Sequence, residues 1–184
     1  MLLVGRDLSP FVRRTVTVME LLKLRYERCK IATMNGPDEA AEFNPLGRVP
    51  ALRLSDDEIL VDSTAIIDHL LEIGDAQHKL LPATGPARRA VLHNSAIATG
   101  VMEKGVAASY ELRRRPKHLI HEPWLAQMHQ QVLSGLTYLD QSIAGKHWFS
   151  GQTPRLDDVN AVVAFDFITL AHPGVISPDL QGLA

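Results

Sequence analysis

Apolar positions recur along this chain in two textures, and the change between them falls near residue 76. The first part mixes short apolar runs with helical stripes. "LLV" near the start has the pattern of a buried strand. From Pro10 to Leu24, Val12, Val16 and Met19 share one helical stripe. "YERCKIA" alternates, which puts Glu27, Cys29 and Ile31 on one face of a strand. "PDEAAEF" reads as a short helix, with Pro37 early and acids in its first turn. "VPALRL" and "EILV" are apolar runs separated by "SDD", a hairpin signal. In "STAIIDHLLEI", Ile66, Leu70 and Ile73 repeat at i, i+4 and i+7, the spacing of a helix face. The order is β-α-β-α-β-β-α. Right-handed crossover makes the first two strands parallel. The hairpin adds an antiparallel pair, so a mixed four-stranded sheet with helices on its faces is expected.

"GDAQHKLLPATGPA" breaks the periodicity with Gly, Pro and polar residues and reads as a linker. Only helical patterns follow. One helix is expected from Pro86 to Tyr110, interrupted by "RRRPKH". A second runs from Pro123 to Ala144, with Trp124, Met128, Val132, Leu136, Leu139 and Ile143 on one face. After the turn-rich "GKHWFSGQTPR" comes "LDDVNAVVAFDFITLA", apolar almost all round, the pattern of a central buried helix. "SPDL" is a helix start that hardly continues. The expected division is a mixed α/β domain over 1–76, a linker over 77–86 and an all-helical domain over 87–184.

Composition narrows the class. The chain has 184 residues, 46% hydrophobic and 22% charged, ordinary for a globular protein. A formal net charge of -2 supplies no global field for nucleic acid or anionic membrane. One cysteine, Cys29, allows no intramolecular disulfide and suits a reducing compartment. No apolar run approaches a membrane span, and the start lacks a signal-peptide pattern. A cytoplasmic protein is expected, without nucleic-acid or membrane partners.

Three short stretches carry candidate chemistry. Ser9-Pro10 opens a helix with serine as N-cap and proline at the first position, and capping alone explains it. The same geometry sets a hydroxyl at a helix N-terminus, at the carboxyl end of the first strand, where open α/β sheets bind ligands. Val49-Pro50 precedes an apolar strand. Its bond is trans by default, but a cis bond would leave the Val49 backbone free to pair with an extended peptide. Asp62 and Ser63 cap the next helix. An acid beside a serine at a helix start can also hold an ammonium and a carboxylate.

Other residues read as structural. Cys29 fits a core-facing strand position. His118 and His121 lack the further ligands a metal needs, and no metal site is expected. "RRRPKH" suits a solvated helix end, Trp124 a core or pocket wall, and Trp148 with Phe149 an anchor under the last helix.

Taken in order, "SPFVRR", "NPLGRVPAL" and "LVDSTAIIDHL" make the first half resemble the thioredoxin-like domain of glutathione S-transferases. "HWFSG" and "LDDVNAV" resemble the turn and core-helix start of that family's helical second domain. The resemblance implies glutathione as cosubstrate and a small hydrophobic electrophile bound against the second domain. It also implies a homodimer, and detoxification as the role. Ser9 would hydrogen-bond the glutathione sulfur and favour its thiolate. Val49, through the family's cis-proline at Pro50, would pair with the cysteinyl unit. Asp62 and Ser63 would hold the γ-glutamyl end, Phe11 would wall the thiol site and Arg48 would meet the glycyl carboxylate. A free thiol with pKa near 8.5 is only a few per cent ionised at neutrality, and lowering it by one to two units requires about 1.4 to 3 kcal/mol.

Two departures stand out. Arg155 occupies the place three residues before Asp158 where the family often has a Ser or Thr cap, so a weakened capping box is expected. The chain is also short for the family, and missing final residues would remove part of the electrophile pocket or its lid. The resemblance leaves two functions open: a glutathione transferase, or a non-catalytic binding module like the starvation-type transcription cofactors that share the fold.

Overall fold

Four three-residue strands build one sheet: β1 (Leu2–Val4), β2 (Glu27–Cys29), β3 (Ala51–Arg53) and β4 (Ile59–Val61). In this computed structural model, residues 1–31, 38–55 and 58–183 are described. Pro37, and Asp56 and Asp57 of the expected hairpin signal, lie outside them. The strand order is β2-β1-β3-β4. β1 runs parallel to β2, while β3 is antiparallel to both β1 and β4. The mixed sheet expected from the sequence is therefore present.

Because strand side chains alternate, β1 and β3 each serve two layers. Val4 and Ala51 join Ile31 and Ala40, the latter on the short helix α2 (Asp38–Ala41). Leu3 and Leu52, both fully buried, face the other way. On that side α1 (Pro10–Leu21) packs against α3 (Ser63–Gly74), which also contacts β3. Each such buried leucine contributes about 1.5 to 3 kcal/mol.

Two helix ends differ from the periodic reading. α1 stops at Leu21, short of Leu24. Lys23 turns left-handed, with φ 54°. The amides of Lys23 and Leu24 then bond Glu20 O and Met19 O, each at 3.0 Å. This is a Schellman stop built without glycine, so no sequence signal marks it. In α3 the buried stripe is Ile66, Ile67, Leu70 and Leu71, and Ile73 is half exposed. The expected linker starts as an ordered cap. The Asp75 carboxylate accepts the amides of Lys79, Leu80 and Leu81 at 2.7 to 3.1 Å, and both leucines are buried.

The chain divides into two compact units, Met1–Leu81 and Pro82–Ala184. The second is helical throughout: α4 (Gly85–Arg114), α5 (Glu122–Ile143) and α6 (Leu156–Ala171), with 3-10 turns at Lys117–Leu119 and Pro173–Val175. α4 packs on both α5 and α6. α4 runs on through Arg113 and Arg114, where cations suit the helix C-terminus. The break comes at Arg115, extended because Pro116 follows. Glu111, buried, ties this corner: its carboxylate accepts Arg115 Nε at 2.7 Å and the His121 amide at 2.9 Å. Those donors hold its carboxyl below the usual range. The stripe of α5 is buried from Met128 to Ile143, while Trp124 is half-buried.

α6 corrects the expectation of all-round burial. Val162 is 50% and Leu170 67% exposed, on a face shared with Asp166 and Thr169. Near-uniform hydrophobicity carries no directional information, so it could not show which face lies open.

Candidate functional site

The strand register gathers the three candidate stretches at one end of the sheet. Val4, the last residue of β1, pairs with Ala51, the first of β3, and Ala51 pairs with Val61, the last of β4. The chain leaving β1 reaches Ser9, the chain entering β3 passes Val49 and Pro50, and the chain leaving β4 meets Asp62. Residues 9, 49 and 62 are distant in sequence, yet each lies within a few residues of that row.

Ser9 is the N-cap of α1 and half-buried, with extended backbone and Pro10 at the first helical position. Its Oγ accepts the Val12 amide at 3.4 Å, a long bond. Accepting leaves the hydroxyl proton available for donation. Phe11, half-buried, sits in the first turn. The Val49–Pro50 bond is cis. Val49 lies two residues ahead of the first β3 ladder pair and is half-buried, with Pro50 buried.

Asp62 caps α3 through Oδ1, which accepts the Thr64 amide at 2.8 Å, and the residue is exposed. Its backbone has φ 70° and ψ 132°. An ordinary N-cap adopts β-region angles, and a non-glycine residue held at such positive φ costs about 1 to 3 kcal/mol. Capping alone gives no reason for that cost. Ser63 is buried instead of open, and its Oγ accepts Arg14 Nη1 at 3.1 Å. Arg14 Nη1 also reaches Thr64 Oγ1 at 3.5 Å. Arg48 is exposed, and its carbonyl accepts Asn44 Nδ2 at 3.1 Å. No contact brings the Arg48 guanidinium to the other candidates among the described residues.

Four positioning residues escape sequence reasoning. Gly5 has φ 134°, and a Cβ there would stand 2.5 Å from Val12 Cγ2 and 2.9 Å from Val49 Cβ. α1 and the Val49 segment thus meet on a residue that must be glycine. Arg14 is 2% exposed and links α1 to the start of α3. Its signal was present, since it precedes buried Val18 by one helical turn. Asn44 Oδ1 accepts the Leu46 amide, shaping the turn whose Gly47 has φ 60°. "NPLG" is a recognisable turn signal for that role. Arg28 reaches from β2 to the loop ahead of Ser9, donating through Nη2 to Gly5 O at 3.1 Å and Asp7 Oδ1 at 2.6 Å. Twenty-one residues separate Arg28 from Asp7, and no local pattern marks the pair.

The helical unit buries its own polar groups. Asp158 Oδ2 accepts the Arg155 amide at 2.7 Å and Oδ1 the Phe149 amide at 2.9 Å. An arginine side chain has no acceptor, so only the carboxylate half of a capping box operates. Burial pushes the Asp158 carboxyl up, against the pull of those amides. Asp157 is also pushed up by burial, with Asn94 Nδ2 on Oδ2 at 3.0 Å. His172 caps α6, and its Nε2 meets Gly105 O at 2.8 Å and Ser109 Oγ at 2.9 Å. A carbonyl only accepts, so Nε2 carries a proton. The His129 ring lies 5.1 Å away, and burial holds both imidazoles below their ordinary pKa.

Among the described residues, no group of three or more His, Cys, Asp or Glu could hold a metal ion, and no helix is long and apolar enough to cross a membrane.

Known proteins resemble this chain in sequence and fold. Residues 3–78 match the family model described as glutathione S-transferase, N-terminal domain. The uncharacterized GST-like protein YibF of Escherichia coli K12 is 29% identical over 140 residues, 76% of this chain and 68% of that protein. Glutathione S-transferase GstA of Escherichia coli O157:H7 is 26% identical over 169 residues, 92% of this chain and 75% of that protein. A glutathione S-transferase from Methylobacillus flagellatus KT, solved with GSH bound, matches with a TM-score of 0.86 and 26% identity, covering 99% of this chain and 91% of that one.

Proposed function

We infer that this chain belongs to the glutathione S-transferase superfamily, with a thioredoxin-like first domain and a helical second one, and that it binds glutathione at the end of the sheet where β1 finishes and ionises the thiol beside Ser9. The carrying observation is the pairing of Val4 with Ala51 and of Ala51 with Val61, which gathers the stretches bearing Ser9, Val49 and Asp62. The glutathione bound in the Methylobacillus relative supports the same cosubstrate here.

The roles are those the family resemblance implies, and the placement of Ser9, Val49 and Asp62 at one end of the sheet supports them. The Ser9 hydroxyl donates to the sulfur and the α1 N-terminus adds partial positive charge, both favouring thiolate over thiol. Val49 presents its main chain to the cysteinyl unit. Asp62 faces the γ-glutamyl ammonium, and the amides opening α3 face its carboxylate. Ser63, with its oxygen already held by Arg14, acts from inside: the buried pair fixes the helix start, and the hydroxyl keeps one proton to donate. Phe11 walls the thiol site and Arg48 meets the glycyl carboxylate. The thiolate attacks a small apolar electrophile. Its lone pair forms the S–C bond, and the leaving group departs with the bonding pair. Ionisation and approximation of the two reactants supply the acceleration. Homodimerisation, a cytoplasmic setting and a detoxifying role are carried over from the family as part of this proposal.

Calorimetric titration with glutathione, run beside a conjugation assay on a generic aromatic halide, tests the reading. Saturable binding with turnover is expected. Binding without turnover refutes the reaction, and absence of both leaves the fold as a non-catalytic binding module.

A further inference from the structure

The segment between β1 and α1 has little to hold it. Arg6, Asp7 and Leu8 are all exposed. Its first residue, Gly5, is fixed by its packing and by a hydrogen bond from its backbone N–H to Cys29 O at 2.8 Å. Its last, Ser9, ties its own amide to Arg6 O at 3.1 Å, inside the same loop. Among the described residues, Arg28 anchors it from outside. One nitrogen, Nη2, donates to both Gly5 O and Asp7 Oδ1, spanning the loop from base to middle. Lys30 Nζ adds a weaker contact to Asp7 Oδ2 at 3.6 Å.

We propose that Arg28 is a positioning residue for Ser9: acting from β2 through Asp7, it sets where the hydroxyl stands and hence how fully the bound thiol ionises. The inference rests on the glutathione reading.

Two further observations support it. The Arg28 Nε atom is buried and has no acceptor among the described residues. A buried donor left unpaired is costly, so the guanidinium is held in this pose by its Nη2 bonds and does not simply rest on the surface. The side chain is 21% exposed although its partner Asp7 is 55% exposed. The Arg28 guanidinium also holds the Asp7 carboxyl below its ordinary range, so that carboxylate stays charged across neutral pH. An exposed ion pair adds little to stability by itself. Displacing a reacting group is far more damaging, since a misplacement of about 1 Å can cost on the order of a hundredfold in rate.

The test is the pKa of enzyme-bound glutathione, read from thiolate ultraviolet absorbance across pH in the parent, Asp7→Asn and Arg28→Lys. Asp7→Asn is nearly isosteric on an exposed side chain and leaves the core untouched. We expect the bound thiol pKa to rise by about 0.5 to 1 unit in each variant, with a threefold to tenfold loss of kcat/KM below that pKa. Glutathione affinity should stay within about twofold, and Asp7→Glu should restore the parent pKa. A merely structural clamp would lower the melting temperature and leave the thiol pKa alone. That result, in a parent that does ionise glutathione, overturns the inference and spares the functional reading. A parent that leaves glutathione un-ionised overturns both.

Discussion

Ser9→Ala deletes one oxygen that both caps a helix and is proposed to activate a thiol, and the structure lets the two losses be weighed apart. The cap bond from the Val12 amide is 3.4 Å, against about 2.9 to 3.0 Å for a well-formed one. Its removal therefore belongs at the low end of the N-cap range, about 0.5 kcal/mol. A hydroxyl bonded to a charged sulfur is a stronger interaction, about 1.5 to 3 kcal/mol. Losing it raises the bound thiol pKa by about one to two units, a tenfold to hundredfold fall in thiolate below the parent pKa. The α1 N-terminus remains, so some ionisation persists. kcat/KM should thus fall tenfold or more below the parent thiol pKa and converge on the parent at high pH. Glutathione affinity by calorimetry should stay within a few-fold, and the melting temperature should drop only slightly. Ser9→Thr, which keeps a hydroxyl, should retain most of the activity. An unchanged pH–rate profile for Ser9→Ala, or a loss equal at every pH, would refute the thiolate role.

Three other outcomes follow from particular contacts. Asp62→Gly should fold at least as stably as the parent, because glycine accepts φ 70° freely and costs a cap only a few tenths of a kcal/mol; calorimetry should nevertheless show weakened glutathione binding, and unchanged affinity would move that site elsewhere. In α4, Gly105→Ala would put a Cβ 2.4 Å from Ile168 Cδ1 and 2.9 Å from Phe167 Cε1, both in the core. Overpacking of about 1 to 3 kcal/mol should outweigh a helix-propensity gain of up to about 1 kcal/mol. Gly100→Ala, with nothing within 4 Å, should stabilise instead, and thermal melts of the two variants should move in opposite directions. His172 and His129 have folded pKa values below the ordinary 6.5, so the folded state disfavours their protonation. Their contribution is complete above that value and lost as pH falls below it. Urea midpoints should decline from pH 7.5 to 5.5, a window above the carboxylate range, and His172→Asn should flatten the decline; an equally steep decline in the variant would clear His172 of the effect.

Much of the fold was legible because it rests on local periodicity. Alternation in "YERCKIA", helical stripes in α5 and the crossover rule suffice for element types and for the parallel pairing of β1 with β2. Signals failed where the deciding contact was remote or the residue atypical. Lys23 ends α1 in a conformation usually given to glycine, and α6 exposes Val162 and Leu170 although its sequence distinguishes no face. The site was legible as chemistry, not as geometry. Ser9, Val49–Pro50 and Asp62 could be singled out as residue types at element boundaries.

The sequence by itself determined the order of elements, the caps and the candidate groups, because each depends on neighbours within one turn or one strand. Only the tertiary structure decided that Ser63 turns inward to Arg14, that Gly5 admits Val12 and Val49, and that Arg28 grips Asp7. Those choices are made by strand register and close packing between segments tens of residues apart. Their energies depend on distances that no one-dimensional pattern encodes.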